Sequence, residues 1–372
     1  MPADTSPEPA RAAGEFQCPA CGGAMQFDAT QGCMLCPFCG AQRAVGAEQE
    51  GARSVVEYDL EQGLAEAAAR GYGAELRTVS CQSCGAVVSH GESGTSGRCN
   101  FCGSPQVLEQ LDRRKPIRPE SVVPFQIDRD GASAKFRAWI GGLWFRPGDL
   151  KALASVSQMT GMYVPYWAFD ARVHSDWTAE AGHYYYVTET RSYTDDKGRN
   201  RTRQERVRKV RWTPAWGSRD DAFDDLLVCG SKGLPPELSQ QLEPFDTTRL
   251  APYDPSFLAG WLAEEYSVDL NAAWRLGVSR METAQRSRCS ADVPGDTQRH
   301  LHVIHRFSGE RFKHILLPVW ISVYRYRDRP YRFLVNGQTG EVTGHAPWSV
   351  WKVTLAVLLA ALVAFILWRA QS

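Results

Sequence analysis

The segment Cys18-Pro-Ala-Cys21-Gly22, followed by Cys36-Pro-Phe-Cys39-Gly40, decides how the first part of this chain folds. The same pattern returns as Cys81-Gln-Ser-Cys84-Gly85 and Cys99-Asn-Phe-Cys102-Gly103, offset by 63 positions throughout. In both copies 14 residues separate the two Cys-x2-Cys pairs. Four cysteines in two such pairs, brought together by a short hairpin, supply the tetrahedral thiolate site that zinc prefers. The sequence therefore predicts two structural zinc ions, each in its own zinc ribbon.

The predicted metal ligands are the eight cysteines of these four pairs: Cys18, Cys21, Cys36, Cys39, Cys81, Cys84, Cys99 and Cys102. A further Cys-x2-Cys spacing joins Cys33 to Cys36, but the register of the repeat leaves Cys33 as a hairpin residue or a spare thiol. The glycine after each pair permits the left-handed turn that aims backbone N–H groups at the sulfurs. Each ribbon closes on its own four thiolates, so we expect Cys36→Ser or Cys99→Ser to unfold only the ribbon concerned.

The alternative to zinc is a disulfide framework, which needs an oxidising compartment. The count of eleven cysteines is odd, and the N-terminus shows neither the basic nor the apolar region of a signal peptide. Thiolates that bind zinc in a reducing cytoplasm therefore fit the sequence better. Cys229 and Cys289 stand alone and are interpreted as ordinary buried or half-buried thiols.

An uncharged apolar segment lies near the other end of the chain. Val353–Trp368 contains sixteen residues without a charge. As a helix it would span about 24 Å, against a hydrocarbon core of about 30 Å. Trp348 and Trp351 extend it, and tryptophans at both ends match the aromatic belt of a membrane interface. The alternative is a buried amphipathic helix, but the segment has no polar face. We expect a transmembrane anchor over 348–369 and a tail-anchored protein.

The orientation of this span follows from charges and from thiol chemistry. Arg332 and Lys352 precede the span and Arg369 follows it, which is a weak positive-inside bias. Thiolates that hold zinc must also stay reduced. We therefore expect a single-pass protein of the cytoplasmic membrane, with the N-terminal bulk of the chain in the cytoplasm.

The chain divides by composition and pattern. Its 372 residues include 42 Lys+Arg and 42 Asp+Glu, so no overall basic field exists to hold nucleic acid. Strand patterns are segregated from helix patterns, which indicates an α+β fold with mostly antiparallel pairing. The predicted divisions are a disordered tail (1–14), zinc ribbon 1 (15–45), a linker with a short helix at 59–70 (46–76), zinc ribbon 2 (77–110), an α+β body (111–347) and the transmembrane anchor (348–369).

The body alternates stretches of helical and strand character. Helices are predicted at 132–140, 147–155, 256–266 and 270–286. Strands are predicted at 163–173, 184–192, 202–212, 300–307, 314–326, 331–335 and 341–344, with a hairpin turn at 195–200.

Several polar groups of the body invite a functional interpretation. On a strand, His300 and His302 share one face while His305 points away, so solvated histidines are favoured over a metal cluster.

The segment Arg191–Arg211 holds nine basic residues. It is either an exposed hairpin with charged faces or a basic finger that touches anionic lipid or nucleic acid. Four further residues are interpreted as capping acids at the start of a strand rather than as a cation site: Asp220, Asp221, Asp224 and Asp225.

Motifs of catalysis are missing from the sequence. It contains no G-x4-GK-[ST] phosphate loop, no G-x-S-x-G and no H-E-x-x-H. We therefore expect a protein that is not an enzyme, and a hydrolase hidden in the body is the less favoured interpretation.

Further motifs follow the two ribbons along the chain: Tyr163-Val-Pro-Tyr-Trp167, Trp212-Thr-Pro-Ala-Trp-Gly217, Phe223-Asp-Asp225, Tyr253-Asp-Pro255, Lys313-His-Ile-Leu-Leu-Pro-Val-Trp320 and Val335-Asn-Gly-Gln-Thr-Gly340. Together they resemble bacterial membrane-tethered proteins described as TFIIB-type zinc-ribbon proteins, some of them labelled primosomal protein N′ or helicase-like. The resemblance covers the chain from Cys18 to the terminal span. A helicase motor requires a phosphate loop and a DEAD-type acid motif, and this sequence has neither. The resemblance implies a membrane-stress or membrane-organising adaptor with SPFH-type (flotillin-like) and phage-shock-A-like partners.

Two classes of function stay open. The favoured one is a non-enzymatic scaffold or adaptor at the membrane, whose ribbons present surfaces for protein partners and whose body lies near membrane lipid. The alternative is nucleic-acid binding through the ribbons. Ribbon 1 carries only Arg43 near its second pair, and ribbon 2 carries only Arg77 and Arg98. Contacts to phosphates need more Lys and Arg than that, so nucleic acid is the less favoured partner.

Overall fold

The computed structural model describes residues 16–45, 55, 57–61, 63, 77–90, 99, 101–105, 107–110, 117–147, 159–194, 198–326 and 329–371. Its architecture is α+β with mostly antiparallel pairing, as the segregated strand and helix patterns predict. The chain forms two compact units. Unit 1 comprises Met1–Ala168, Leu227–Ala273 and Phe312–Ser372, and unit 2 comprises Phe169–Leu226 and Trp274–Arg311.

Strands make up most of the described residues. In chain order they are β1 (Gln26–Asp28), β2 (Cys33–Leu35), β3 (Gln42–Ala44), β4 (Tyr58–Asp59), β5 (Arg77–Cys81), β6 (Val87–His90), β7 (Val107–Gln110), β8 (Ser121–Val122), β9 (Thr160–Thr194), β10 (Asn200–Cys229), β11 (Ala251–Pro252), β12 (Leu262–Glu265), β13 (Thr297–Tyr326), β14 (Arg329–Asn336) and β15 (Val342–Gly344). β9, β10 and β13 are 30 to 35 residues long and contribute to both units. The seven predicted strands all fall within β9, β10, β13, β14 or β15, apart from one residue at the start of β15.

The two cysteine repeats belong to different sheets. β1, β2 and β3 form a separate three-stranded antiparallel sheet that carries the first repeat. The second repeat lies in a twelve-stranded sheet, along the path β11-β8-β13-β9-β12-β6-β5-β7. There β6 pairs antiparallel with β12, with Ser89 opposite Ala263, and β12 pairs parallel with β9, with Leu262 opposite Met162. The second repeat is therefore continuous with the large sheet.

Helices of six residues or more occur at four places in the described part of the chain: α1 (Arg129–Gly141), α2 (Pro236–Gln241), α3 (Leu270–Asp292) and α4 (Val350–Gln371). The predicted helices at 132–140 and 270–286 are confirmed as parts of α1 and α3. α1 begins where the Asp128 carboxylate accepts a hydrogen bond from the Gly131 backbone N–H at 2.8 Å, which satisfies one of the unpaired donors of the first turn. Its buried side chains recur every fourth residue, as an amphipathic helix requires: Ala132, Phe136 and Ile140.

The prediction of a helix at 256–266 is wrong. The chain first forms a 3₁₀ turn, Pro255–Leu258, capped by Asp254, whose carboxylate accepts a backbone N–H at 2.8 Å. Gly260 then adopts φ of +80°, a left-handed conformation that ends the helical winding. Leu262–Glu265 continues as a strand between two others. The apolar residues of this segment are buried by a turn and a strand, and not by one face of a helix.

Two other predicted helices lie largely outside the described residues. The stretch 147–155 is described only at Pro147. Of the stretch 59–70, residues 60, 61 and 63 are helical, and the Asp59 carboxylate accepts the Glu61 backbone N–H at 3.0 Å. Asp59 therefore caps the start of this segment.

Aromatic side chains pack the core of unit 1. Phe125 stacks on Trp261 with ring centroids 4.1 Å apart, and it meets Tyr163 and Trp320 edge-on at 5.1 and 5.2 Å. Tyr163 and Trp320 belong to the motifs that carry the resemblance to membrane-tethered proteins. Their side chains are buried and fill the core. In unit 2 a smaller buried cluster contains Cys289, whose interpretation as a buried thiol is confirmed.

Candidate metal centres

Cluster 1 is the group formed by Cys18, Cys21, Cys36 and Cys39. The Sγ atoms of Cys18 and Cys39 lie 3.5 Å apart, and those of Cys21 and Cys36 also lie 3.5 Å apart. A disulfide would bring two sulfurs to about 2 Å, so these thiols are unbridged. Cys33 lies on β2 and outside the cluster, which confirms it as a hairpin residue.

Cluster 2, formed by Cys81, Cys84, Cys99 and Cys102, repeats this arrangement. The Sγ atoms of Cys81 and Cys102 lie 3.6 Å apart, and those of Cys84 and Cys99 lie 3.7 Å apart. In each cluster the four sulfurs all lie within 4.8 Å of one another. Each cluster thus gathers four soft donor atoms around one point, and each can hold a metal ion.

All four Cys-x2-Cys pairs share one backbone geometry. The glycine after the pair donates its N–H to the carbonyl of the first cysteine at 2.8 to 2.9 Å. The first cysteine donates its own N–H to the carbonyl of the residue that follows the glycine, at 2.7 to 2.9 Å. These glycines have φ between +72° and +75°, a conformation that costs other residues strain and confirms the predicted left-handed turn: Gly22, Gly40, Gly85 and Gly103.

The surroundings of two thiols favour the thiolate, which is the form that binds metals. The backbone N–H of Cys39 points at the sulfur of Cys36 and lowers the pKa of Cys36 to about 6. The pKa of Cys99 is lowered to about 5, first by its hydrogen bond with the Cys84 thiol and then by backbone N–H groups. One cysteine of each cluster, at the same position of the repeat, is therefore poised to ionise near neutral pH.

The two clusters differ in the aromatic residue of their second pair. Phe38 and Phe101 occupy the same position of the repeat, 63 residues apart. The Phe101 side chain is fully buried, and its ring packs over Gly233 next to Ala86. The Phe38 side chain is 76% exposed. The sequence gives no sign of this difference, because both pairs read Cys-x-Phe-Cys-Gly.

The sheet that carries cluster 1 is attached to the rest of unit 1 by a different surface. The indole N–H of Trp261 donates to the backbone carbonyl of Phe27 at 2.9 Å, and the Phe27 ring meets Phe257 edge-on at 5.1 Å. Phe27 itself is buried. These contacts hold the sheet in place and leave Phe38 on its outer side.

A positive charge lies beside cluster 2. Arg332 is half-buried, and its pKa is lowered by burial, while the thiols of Cys84 and Cys102 act in the opposite sense. Its guanidinium donates to the backbone carbonyl of Gly233. Arginine keeps its charge in such surroundings, so Arg332 offsets the negative charge of the thiolates. The sequence analysis counted Arg332 among the charges that flank the apolar span. Because Arg332 lies beside cluster 2, it no longer counts as one of these flanking charges.

The acidic residues of β10 do not occupy the predicted position. The four aspartates at 220, 221, 224 and 225 lie inside β10, so their interpretation as acids that cap the start of a strand is wrong. This strand already begins at Asn200, far ahead of its apolar end. Asp170, Asp224 and Asp225 bring carboxylate oxygens within 4.8 Å of one another. Only Asp224 of the three is exposed, and the Asp170 carboxylate accepts the Asp225 backbone N–H at 2.6 Å. Acidic groups of this kind are common without a metal.

Two of the three histidines of β13 are exposed to solvent, as predicted. His300 and His302 are exposed, while His305 is half-buried on the other face. The Nδ1 atom of His305 lies 2.9 Å from the Ser175 hydroxyl. Among the residues that the structure describes, these histidines form no group that could hold a metal ion.

α4 is a helix of 22 residues whose apolar side chains are mostly exposed, with Val353 and Ala356 half-buried. The Lys352 ammonium, in its first turn, donates to the backbone carbonyls of Trp144 and Arg146 at 3.2 and 2.9 Å. The Arg146 guanidinium in turn lies over the Trp348 ring, 3.9 Å from its centroid. By length and composition, α4 is long and apolar enough to cross a membrane.

Comparison with known proteins shows similarity to one uncharacterized relative. The chain is 29% identical over 354 residues to the uncharacterized protein YdjG of Bacillus subtilis (strain 168), covering 91% of each chain. No protein-family model matches the chain. No solved structure matches it either.

Proposed function

We propose that this protein is a non-enzymatic adaptor of the bacterial cytoplasmic membrane. Its bulk faces the cytoplasm, α4 anchors it in the bilayer, and zinc ions in clusters 1 and 2 have a purely structural role. Its partners are proteins of the same membrane. The resemblance to membrane-tethered zinc-ribbon proteins favours SPFH-type and phage-shock-A-like partners and a part in membrane-stress organisation.

The donor set of the two clusters supports zinc. Four thiolates at Zn–S distances of about 2.3 Å in a tetrahedron lie about 3.8 Å from one another. The shortest Sγ–Sγ distances within the two clusters, 3.5 to 3.7 Å, approach this value. When all four positions are taken by cysteine, no position is left for water or substrate, which is typical of structural sites. Each ion would then serve only to hold the residues of its own cluster together.

The observation that carries the adaptor proposal is the contrast between Phe38 and Phe101. In cluster 2 this phenylalanine is fully buried against other residues of unit 1. In cluster 1 the same residue, on the same backbone geometry, is 76% exposed. Aromatic side chains that project from a fixed surface are common anchors of protein interfaces. Phe38 of cluster 1 is therefore available to a partner protein, whereas the equivalent Phe101 of cluster 2 is packed within the chain.

The test is capture of partner proteins by the full-length chain after cross-linking in intact cells. Removal of an interface anchor weakens binding by roughly 30-fold, so Phe38→Ala should lose the proteins that the native chain captures. Trp216 is also 76% exposed, on β10, and Trp216→Ala is the matched control that should keep them. Equal capture by the native chain and both variants would contradict the proposal. So would nanomolar, sequence-dependent DNA binding that requires intact clusters.

A further inference from the structure

The hairpin formed by β9 and β10 has two exposed faces. Residues 183–194 and 198–211, here named the basic hairpin, are exposed or half-buried along their whole length. The segment 183–211 contains nine Lys/Arg and four Asp/Glu, whereas the whole chain contains 42 of each. The remainder of the chain is therefore net negative, and a large positive excess is concentrated in this one hairpin.

One face of the basic hairpin combines tyrosines with arginines. The Arg206 guanidinium lies over the Tyr186 ring at 4.2 Å from its centroid, and that of Arg208 lies over the Tyr184 ring at 4.3 Å. Stacking holds a guanidinium by its flat face, so the N–H groups on its edge stay available to an oxyanion. In the part of the chain that the structure describes, neither arginine is paired with a carboxylate. This set of four residues is named the Tyr–Arg face.

The other face of the hairpin holds one longer stack, with the Arg211 guanidinium 5.5 Å from the centroid of the Tyr185 ring. Part of the charge on that face is neutralised. Lys209 pairs with Glu189 at 2.6 Å, and Arg191 approaches Glu205 at 3.6 Å. Both glutamates of the described hairpin lie on this face. Cations that are already paired contribute less to the attraction of an external anion, so the Tyr–Arg face is the better site for phosphate groups.

We infer that the Tyr–Arg face binds the phosphate groups of an anionic membrane surface. Tyrosine and arginine are both suited to the headgroup region, where an amphipathic ring and a phosphate-binding cation meet the same layer. The choice of a membrane over other polyanions rests on the proposed anchoring through α4. The hairpin thereby gives this protein a second, salt-sensitive contact with lipid in addition to its anchor.

The experiment uses the full-length chain held in neutral phosphatidylcholine nanodiscs. These are mixed with vesicles of phosphatidylcholine alone or with added phosphatidylglycerol, and association is measured by flotation over a range of salt. Two charges near a membrane surface contribute roughly 10- to 30-fold in binding. Arg206→Gln/Arg208→Gln should lose that factor on the phosphatidylglycerol vesicles. The control Arg275→Gln/Arg286→Gln removes the same charge from the exposed side of α3 and should bind as the native chain does.

Three results would overturn the inference. They are no preference of the native chain for phosphatidylglycerol vesicles, an equal loss in both double variants, and tighter binding of DNA than of these vesicles at the same salt. Zinc content is measured on the same preparations, and Phe38-dependent capture is measured in intact cells that produce the same variants. If they persist while vesicle binding fails, the adaptor proposal survives and only the hairpin assignment falls.

Discussion

At the scale of single residues, Phe38 and Phe101 give a matched pair for stability. Phe101→Ala removes a fully buried ring and should lower the free energy of unfolding by about 3–5 kcal/mol. Phe38→Ala removes a ring that is 76% exposed, and surface changes of this kind stay within about 0.5 kcal/mol. Denaturant unfolding of the detergent-solubilised chain measures both. A comparable loss in the two variants would show that Phe38 is packed within the protein.

His314 should make the protein sensitive to acid. It is buried, its Nδ1 lies 2.8 Å from the Ile117 carbonyl, and burial lowers its pKa from 6.5 to about 4. This histidine therefore binds a proton more readily in the unfolded chain than in the folded protein. The free energy of unfolding consequently decreases as the pH falls from about 6.5 towards 4. The loss should reach about 2 kcal/mol at pH 5.

The control for this prediction is His314→Gln, which has no group that titrates in this range. The difference in unfolding free energy between the native chain and the variant should be constant above pH 7 and should shrink from pH 6.5 to pH 5. Any loss of metal in acid affects both proteins equally, because they carry the same clusters, and it therefore does not change this difference. An unchanged difference at the two pH values would contradict a buried neutral histidine.

At the scale of elements, the two repeats should respond differently to the same substitution. Cys36 and Cys99 occupy equivalent positions, but only the second repeat shares a sheet with β12. Cys99→Ser should therefore loosen β12 as well as β5–β7, whereas Cys36→Ser should loosen only β1–β3. Hydrogen exchange followed by mass spectrometry measures the protection of each strand. Exchange confined to the mutated repeat in both variants would support two independent ribbons instead.

Sequence spacing was sufficient to predict the two clusters of four cysteines, because four donors with fixed offsets leave few arrangements around one point. It could not reveal that Phe101 is buried and Phe38 exposed, since packing depends on partners such as Gly233, which is distant in the chain. It also failed at Gly260, where one residue with positive φ separates a turn from a strand. The position of Arg332 beside cluster 2 likewise follows from sheet pairing, which local patterns do not encode.

At the scale of the whole molecule, α4 should be necessary for stable membrane attachment. Deletion of residues 350–372 removes the helix that is long and apolar enough to span a bilayer. We expect the shortened chain in the soluble fraction after a carbonate wash, while the full-length chain stays in the pellet. The basic hairpin alone should give only an association that high salt reverses. A shortened chain that resists carbonate would show that another segment or a partner holds it.

The central claim is that the eight clustered cysteines of this protein hold two structural zinc ions. Elemental analysis of the full-length chain, purified under reducing conditions without added metal, tests it most directly. The account predicts two zinc ions per native chain and one per chain in either Cys36→Ser or Cys99→Ser. Iron in place of zinc, or a native chain with one metal ion or none, would contradict it.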